Sequence, residues 1–564
     1  MRESVWLLSP VNEHTKTLSQ ELEIPREIAQ ILINRNISEA QDVQRFLFGT
    51  LENLHDPFLM KGMREAMNRI KKAIAAGERI LIFGDYDVDG ILSVVALTKA
   101  LRTLGAEVEY FIPDRLKQGY GMKKKHIATI LAKKCSLVIS VDCGIKAVEF
   151  VKGAKAHGID VIITDHHQPG PSLPEALTVL NPVIESSGYP ERGLAGIGVV
   201  FKLIQALLGS EGKMSHLPHY LKLVSIATIA DVAPLKGENR LFVRFGLQQL
   251  EDVNNIGLKS LIDVCGLSSK RITVGDVGFK IGPRINAAGR LGLTDLAVRL
   301  FFSETQDESE GMVRQLDKLN TERQRIEGKI FQQALHRIEE KKLHEKYKLL
   351  ILGCEEWHRG VIGIVASKLK DTFHQPVILF SYREEKAFGS GRSIREFPLI
   401  DCLDSANHHL LTYGGHVLAV GCELLRDRMD AFRRTANDFA DSKLTEDDLK
   451  KKIHIDTKLD FHRIGIQFLE NMRLLSPFGV GNPKPIFLTE MAEVIAPPKS
   501  INGRHCKFIL RQNGKTFEAL GWGKGYWAEE AQRGDLVDLV YSIQFSHYQG
   551  EEKVTLVLED INIR

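Results

Sequence analysis

Three carboxylates, Asp85, Asp87 and Asp89, alternate along residues 80–90, which read ILIFGDYDVDG. Like charges this close together raise one another's pKa unless a positive charge lies among them. A divalent cation is the simplest such charge, and a dense set of hard oxygen ligands suits Mg²⁺ or Mn²⁺ better than softer metals. The spacing therefore predicts a metal site, and a metal-dependent reaction as its chemistry.

A solvated turn and a calcium loop are the alternative interpretations of this segment. Asp and Gly are common in turns, and D-x-D-x-D-G also begins an EF-hand loop. The glutamate that closes an EF-hand loop would fall at position 96, where the chain has Ala96. The segment also follows an apolar, strand-like run rather than a helix. Both observations disfavour the calcium loop.

An apolar run that ends in an acid recurs three more times along the chain. Residues 137–144 read LVISVDCG, residues 160–167 read DVIITDHH, and residues 225–231 read SIATIAD, the last of uncertain secondary structure. Apolar runs separated by helical stretches are typical of buried parallel strands, and ligands gather at the carboxyl ends of such strands. An acid after a strand is also common as a helix N-cap, but the repetition favours one shared site. We expect one edge of a sheet to bring together Asp85, Asp87, Asp89, Asp142, Asp165, His166, His167 and Asp231.

The composition is that of a globular protein with several domains: 564 residues, 43% of them hydrophobic, with a net charge of +3. No run approaches the ~20 apolar residues that cross a bilayer, and the first ten residues, MRESVWLLSP, lack a signal-peptide core. A cytoplasmic location is therefore expected. The seven cysteines include no C-x-x-C pair, which argues against a disulfide frame and a zinc ribbon. Residues 113–134 and 268–290 are locally basic, and they could neutralise phosphates or form solvated helix faces.

The chain divides into five segments. Residues 1–50 form a helical lead-in, residues 51–304 an α/β unit with the acidic strand ends, and residues 305–346 a connecting helix of roughly 60 Å. A partner-binding coiled coil is the weaker alternative for the helix. Residues 347–445 form a second, smaller α/β unit, and residues 446–564 alternate short β-like runs with turns, which predicts a small barrel.

Glycines cluster at three places outside the acidic motifs. Residues 193–200, GLAGIGVV, form a turn into a helix that could cradle a phosphate or serve close packing. Residues 389–393, GSGRS, and 414–416, GGH, let a backbone approach a ligand, and the arginine can grip a phosphate. The tail also holds aromatic side chains that could stack on bases or pack in a core: Trp522, Tyr526, Tyr541 and Phe545.

Four segments, in order, resemble the four motifs of the DHH phosphoesterase superfamily: DYDVDG at 85–90, VDCGI at 141–145, DHH at 165–167 and AD at 230–231. The two glycine-rich segments at 389–393 and 414–416 look like its DHHA1 partner domain. The resemblance narrows to the branch of 5′→3′ exonucleases specific for single-stranded DNA, on the segments FIPDR at 111–115, GYG at 119–121 and PFGVGNP at 477–483. It implies an α/β fold: a parallel-sheet DHH domain and a smaller DHHA1 domain, joined by a long helix and followed by an OB-like barrel that binds single strands.

The resemblance also implies two Mn²⁺ or Mg²⁺ ions bridged by Asp142. The first would also be held by Asp85 and Asp87, and the second by Asp89, His166 and Asp231, although which acid binds which ion stays open. Two ions about 3.5–4 Å apart lower the pKa of a bridging water and neutralise charge on a phosphoryl transition state.

Among the other site residues, His167 would contact the scissile phosphate and Asp165 would orient a neighbouring ligand, which with Asp142 completes the implied catalytic set. The implied substrate-binding positions are Arg115, Ser390 and Arg392 for a 5′-phosphate, Arg284 for the strand backbone, and His358 and His416 facing the substrate. A channel too narrow for duplex would select single strands.

Degradation of single-stranded DNA to 5′-mononucleotides in recombination and repair is the implied function. A helicase and a single-strand-binding protein are implied as partners, and a monomer is usual among such proteins. Phosphodiesterases for cyclic dinucleotides or short oligoribonucleotides are the closest rivals, but they generally lack a barrel tail. Pyrophosphatases begin the first motif with His where this chain has Asp85, and inactive scaffolds have lost the metal-site acids that this chain keeps.

Overall fold

The structure is a computed structural model that describes residues 4–114, 119, 121–548 and 551–564, without the side chains of residues 546–548 and 551–552. The N-terminal segment contains a strand and three helices: β1 (Val5–Leu8), α1 (His14–Glu21), α2 (Arg26–Asn34) and α3 (Ala40–Phe48). Helix α2 begins directly after Pro25, whose fixed φ suits a helix start.

A sheet of five parallel strands forms the first α/β domain, in the order β3-β2-β4-β5-β6. Its strands are β2 (Arg79–Gly84), β3 (Glu107–Phe111), β4 (Leu137–Val141), β5 (Asp160–Thr164) and β6 (Thr178–Leu180). The helices are α4 (Met63–Ala75), α5 (Val88–Thr103), α6 (Ile127–Ala132), α7 (Val148–Ala156), α8 (Gly196–Ser210), α9 (Leu221–Ala230), α10 (Gly237–Gln249), α11 (Ile256–Val264), α12 (Val274–Asp276), α13 (Gly282–Arg290) and α14 (Thr294–Leu300).

Both faces of this sheet are buried, as the continuous apolar runs predict. Along β2, Ile80 and Ile82 belong to the hydrophobic cluster on one face, while Leu81 and Phe83 belong to the cluster on the other. The apolar run at 225–231, of uncertain type in the sequence, is the end of helix α9 rather than a strand.

A long helix, α15 (Gln306–Glu340), and a short one, α16 (Leu343–Lys346), lead to the second α/β domain. That domain has a mixed sheet in the order β10-β11-β9-β8-β7, in which only β7 and β8 are parallel. Its elements are β7 (Leu350–Cys354), α17 (Ile362–Phe373), β8 (Val377–Arg383), β9 (Lys386–Arg392), α18 (Leu399–Ser405), β10 (Leu410–Gly415), β11 (Ala419–Leu425) and α19 (Met429–Lys443).

Helix α15 connects the two domains. Its 35 residues span about 52 Å at 1.5 Å per residue, which is shorter than predicted because the chain turns at Lys342, where φ is +49°. It packs against α11, α13 and α14 of the first domain and against α17 of the second. The helix therefore connects the two domains and packs on both. These contacts account for its apolar face without a coiled-coil partner.

Five strands of the C-terminal domain close into a barrel, β14-β18-β19-β17-β16 and back to β14, which confirms the predicted OB-like fold. The elements are β12 (Lys452–Ile455), β13 (Thr457–Lys458), α20 (Ile466–Leu474), β14 (Phe487–Val494), β15 (Lys499–Ile501), β16 (His505–Gln512), β17 (Lys515–Gly521), α21 (Trp527–Glu530), β18 (Leu536–Tyr548) and β19 (Glu551–Ile563). Of the aromatic candidates, Tyr541 is fully buried in the barrel core, whereas Trp522 is 54% and Tyr526 38% exposed.

The N-terminal segment is part of the C-terminal domain rather than a separate lead-in. Strand β1 pairs in parallel with β12, and apolar side chains of α1, α2 and α3 share one hydrophobic cluster with the barrel core. Segments that are this far apart in the chain leave no local pattern that would reveal their pairing. The sequence therefore predicted the helices but not the domain against which they pack. Within the described residues, no helix is both long and apolar enough to cross a bilayer.

Candidate metal centre

Strand β2 delivers the first three carboxylates to the carboxyl edge of the sheet. Asp87 is the N-cap of α5, where its side chain accepts the Gly90 N–H at 3.1 Å. Asp89 lies in the first turn of that helix and is buried. A Cβ at Gly90 would lie 2.5 Å from the Asp85 carbonyl oxygen, so only glycine permits this tight turn.

Asp142 follows β4 and occupies the centre of the cluster. Its backbone is left-handed, with φ of +58°, and its N–H donates to the Thr164 carbonyl at 3.0 Å. The carboxylate is buried against Gly196, where a Cβ would lie 2.7 Å from Oδ1 of Asp142. A glycine at the start of α8 therefore makes room for the central carboxylate.

The DHH segment follows β5, and Asp165 organises it. Its carboxylate accepts hydrogen bonds from the N–H groups of Ile145, His166 and His167, and from the His167 ring Nδ1 at 2.7 Å. Burial lowers the pKa of His167, but the hydrogen bond and charge of Asp165 outweigh it and raise that pKa to about 9. Asp165 is thus occupied by orienting its neighbours.

His166 lies between two carboxylates from different parts of the chain. Its Nε2 is 3.1 Å from Oδ1 of Asp142, and its Nδ1 is 3.8 Å from Oδ2 of Asp231. Asp231 ends α9, where Val232 turns the chain with φ of +62° and its N–H closes the helix on the Ile229 carbonyl. Asp231 was predicted as a site residue without a prediction of its secondary structure, and it lies at the end of a helix.

The glycine-rich turn at 193–200 holds a carboxylate rather than a phosphate. The N–H groups of Gly196 and Ile197 donate to the two oxygens of Asp89 at 2.7 and 2.8 Å. An anion at a helix N-terminus is favoured by the dipole and by the unpaired N–H groups. The turn therefore fixes one of the predicted metal ligands.

Burial and mutual repulsion make the cluster costly to ionise. Burial, and then the charge of Asp87, raise the pKa of Asp89 to about 7; burial and the neighbouring carboxylates raise the pKa of Asp231 to about 9 and that of Asp142 well above its usual range. Burial, and then the charge of His167, lower the pKa of His166 to about 4, so that its ring is neutral at pH 7. Closely packed carboxylates that are costly to ionise together, beside a neutral imidazole, form a metal-binding set.

The donor set fits two divalent cations. Oδ1 of Asp142 and Nε2 of His166 are buried and, although 3.1 Å apart, form no hydrogen bond with each other or with any other described residue. Possible ligand atoms lie within 4.8 Å of one another in three groups, namely Asp85-Asp87-Asp142, Asp89-His166-Asp231 and Asp142-His166-His167. The first two groups match the predicted ligands of the two ions, with Asp142 adjacent to both.

A cavity of about 350 Å³ opens onto these carboxylates and includes residues that the sequence analysis did not single out. Asn286 and Arg290, four apart on α13, line it with Tyr86 and Gly289. Asn286 accepts the Val88 N–H at 3.2 Å, and Arg290 donates to the Gly360 carbonyl of the second domain at 3.0 Å. Their spacing of four places them on one helix face, but the spacing alone does not indicate that this face reaches the cavity.

The predicted substrate positions lie on both domains. Ser390 and Arg392 are neighbours on β9, where Arg392 Nη1 lies 3.4 Å from Ser390 Oγ, beside Gly363 at the start of α17. The Nδ1 atom of His358 accepts the Gly360 N–H, and His416 is exposed after β10. Arg284 does not line the cavity but pairs with Asp317 of α15 at 2.9 Å. Arg115 lies outside the described residues.

Comparison with known protein families agrees with this architecture. The N-terminal domain of the DHH family matches residues 79–228, the DHHA1 domain matches residues 346–442, and the RecJ OB domain matches residues 455–560. The three models follow one another in the order of the two α/β domains and the barrel.

Two relatives and a solved structure extend over nearly the whole chain. The single-stranded-DNA-specific exonuclease RecJ of Bacillus subtilis is 38% identical over 98% of this chain and 70% of its own length. The Escherichia coli RecJ is 29% identical over 97% of this chain and 98% of its own. The crystal structure of RecJ in complex with Mn²⁺ from Thermus thermophilus superposes with a TM-score of 0.85 at 29% identity, covering 99% of this chain and 79% of that one. With its metal-binding edge, its two α/β domains and its barrel all in place, this chain belongs to the RecJ family.

Proposed function

We propose that this protein is a two-metal exonuclease that degrades single-stranded DNA from the 5′ end to 5′-mononucleotides. The observation that carries the proposal is the convergence of buried and half-buried carboxylates from the ends of β2, β4 and α9 on a neutral histidine, at the edge of an open cavity. Relatives named single-stranded-DNA-specific exonuclease are similar to this chain over 97–98% of its length.

The chain's own residues divide the work. Asp85, Asp87 and Asp142 would hold one ion and Asp89, His166 and Asp231 the other, with Asp142 shared. When bound, the ions supply an activated water and neutralise charge on the phosphate. His167, charged and hydrogen-bonded to Asp165, lines the cavity and would donate a hydrogen bond to a phosphate oxygen there.

Recognition of a 5′ end would fall to the second domain. Arg392 and Ser390 lie beside the start of α17, and the contact between Arg290 and Gly360 ties the preceding loop to the metal cavity. Arg115 completes the proposed phosphate pocket on sequence grounds. Arg284 would have to exchange Asp317 for a phosphate to contact the strand.

The cellular setting follows from the substrate. A single-strand exonuclease acts in DNA recombination and repair, and we place the protein in the cytoplasm with the chromosome. We further propose that it works as a monomer on strands opened by a helicase and covered by a single-strand-binding protein.

The deciding experiment is cleavage of 5′-labelled and 3′-labelled single-stranded DNA with Mn²⁺, beside a blunt duplex, a short RNA and an EDTA control. An Asp142→Asn variant serves as the inactive control, because asparagine also tolerates the left-handed backbone at position 142. Stepwise release of mononucleotides from the 5′ end, abolished by EDTA and by the substitution, is the expected result.

Two other outcomes would change the assignment. Cleavage confined to very short oligonucleotides would move the protein to the oligonucleotide phosphodiesterases of the same superfamily. Release from the 3′ end, or equal attack on duplex, would contradict the proposed polarity or strand selectivity.

A further inference from the structure

A second cavity, of about 440 Å³, lies in the first α/β domain away from the metal centre. Its wall includes the basic side chains Lys99 and Arg102 from the end of α5 and Lys222 from the start of α9. His216 and His219 also line it, and none of the described Asp or Glu residues does. Five basic or titratable side chains from three segments of the chain thus face one concave surface.

The three cationic side chains contact aromatic and backbone groups, and the charge of Asp252 also acts on Lys222. Lys99 and Arg102 lie over the Phe302 ring, at 5.7 and 5.2 Å from its centroid, and Lys222 donates to the Asp252 backbone carbonyl at 2.6 Å. Within the described part of the chain, none of the three forms an ion pair with a carboxylate. Burial lowers the pKa of Lys99 to about 8, as expected for an ammonium group without a counter-charge.

The cavity also has an apolar part. Phe302 is half-buried, and Tyr220, Leu223 and Leu258 are buried, so that one side of the concave surface is aromatic and aliphatic. A volume within the usual range for small-molecule sites, with convergent positive groups beside apolar ones, suits a ligand that carries both phosphate and a ring.

We propose that this cavity is a binding site for a nucleotide, whose phosphates are held by Lys99, Arg102 and Lys222. The site is distinct from the metal centre. Along α5, ten residues separate Lys99 from Asp89, a distance of about 15 Å, and along α9 nine residues separate Lys222 from Asp231. Each helix therefore carries a metal-ligand candidate at one end and a nucleotide-binding residue at the other.

The test is calorimetric titration of the full-length Asp142→Asn protein in EDTA, so that neither hydrolysis nor bound metal contributes. Adenosine 5′-diphosphate is the main probe, and inorganic pyrophosphate and adenosine are the two comparison ligands. Saturable binding of the diphosphate is expected, weakened at least tenfold by Lys99→Met. Lys222→Met, on a different helix, should weaken it equally and serves if the first variant folds poorly.

Lys259→Met is the matched control, because Lys259 is exposed on α11 near the cavity but does not line it. Binding of pyrophosphate without adenosine would support the role of the three cations. The proposal is overturned if no probe saturates, if adenosine binds as well as the diphosphate, or if neither cavity variant weakens binding. If the protein binds no nucleotide, and both Lys99→Met and Lys222→Met lose affinity for single-stranded DNA, the cations would instead contact the DNA strand.

Discussion

At the scale of single residues, Asp165 controls its surroundings by accepting hydrogen bonds. Both of its oxygens are engaged, by Ile145 on one side and by His166 and His167 on the other. A carboxylate held this way keeps its charge although it is buried, because hydrogen bonds and the charge of His167 outweigh burial and lower the pKa of Asp165. In the proposed reaction, Asp165 would therefore act mainly through His167.

Asp165→Asn is expected to lower the rate of DNA cleavage by about 10- to 100-fold while leaving Mn²⁺ affinity within a few-fold. The amide can no longer stabilise a charged His167 ring. Cleavage of 5′-labelled DNA and calorimetric Mn²⁺ titration measure the two effects. His167→Gln and the double variant complete a cycle, in which the two losses should not add; an additive loss would show that Asp165 acts elsewhere.

Gly196→Ala is expected to weaken Mn²⁺ binding at least tenfold, because the new methyl group would displace the Asp142 carboxylate. Gly209→Ala, near the other end of α8, is the matched control: its Cβ would meet only Met214, at 3.6 Å. The control should bind Mn²⁺ normally and gain up to about 1 kcal/mol of stability. The rise in melting temperature on adding Mn²⁺ measures the binding of the ion by the variant and by the control. An unchanged response of Gly196→Ala would contradict the packing argument.

At the scale of elements, a buried ion pair joins the helices behind the metal centre. Lys202 of α8 lies 2.9 Å from Glu238 of α10, and both side chains are almost completely buried. Lys202 also donates to the His55 carbonyl at 2.6 Å, and Glu238 accepts the Tyr189 hydroxyl. The pair fixes α8, whose first turn holds Asp89, against α10.

Lys202→Met is expected to cost about 3–5 kcal/mol, because it leaves Glu238 charged, buried and without its partner. The shift of the first urea transition measures the loss. Lys202→Met combined with Glu238→Gln should recover part of it, since the amide still accepts from Tyr189 without a charge. A double variant less stable than Lys202→Met would show that the hydrogen bonds, and not the charge, dominate.

The elements of the site differ in how far sequence could predict them. The ends of β2, β4 and β5 were predictable, because an apolar run followed by acids is a local pattern. The residues Asn286 and Arg290 were not, because their helix reaches the cavity only through tertiary packing. For the glycine-rich turn, the sequence left phosphate binding and close packing as alternatives. The turn instead binds the Asp89 carboxylate, which lies more than 100 residues earlier in the chain.

At the scale of the whole molecule, the segment PFGVGNP at 477–483 forms hydrogen bonds with three parts of the protein. The Val480 carbonyl accepts the Leu235 N–H at 2.7 Å, four residues after Asp231. The side chain of Asn482 accepts from Arg35 of the N-terminal segment and donates to the carbonyls of Leu475 and Pro477. The motif therefore joins the barrel to the domain that carries the metal centre.

Arg240 completes this junction. Its buried guanidinium stacks 3.8 Å from the Phe46 ring centroid and donates to backbone carbonyls of two distant segments: those of Phe46, Leu474, Leu475 and Ser476. Burial lowers its pKa to about 9. Hydrogen bonds to the carbonyl oxygens, rather than a carboxylate, stabilise the charged guanidinium. A single side chain thus attaches α3 and the barrel to α10.

Arg240→Met is expected to destabilise the junction by at least about 3 kcal/mol, because several buried carbonyls lose their donor at about 1–3 kcal/mol each. Cleavage of long single strands should slow through a higher KM, while cleavage of very short strands stays near normal. Arg244→Met, which removes one bond to the Leu47 carbonyl, is the graded control. Equal effects on long and short strands would contradict a role in positioning the barrel.

The pairing of the N-terminal segment with the barrel has a consequence for synthesis of the chain. Val5 lies beside Lys452 in the finished sheet, and a ribosome that adds about 5–20 residues per second needs tens of seconds to reach that partner. During this time the apolar faces of α1, α2 and α3 have no barrel core to cover them. Nascent chains that stall before the barrel is made should therefore bind chaperones through their first 48 residues.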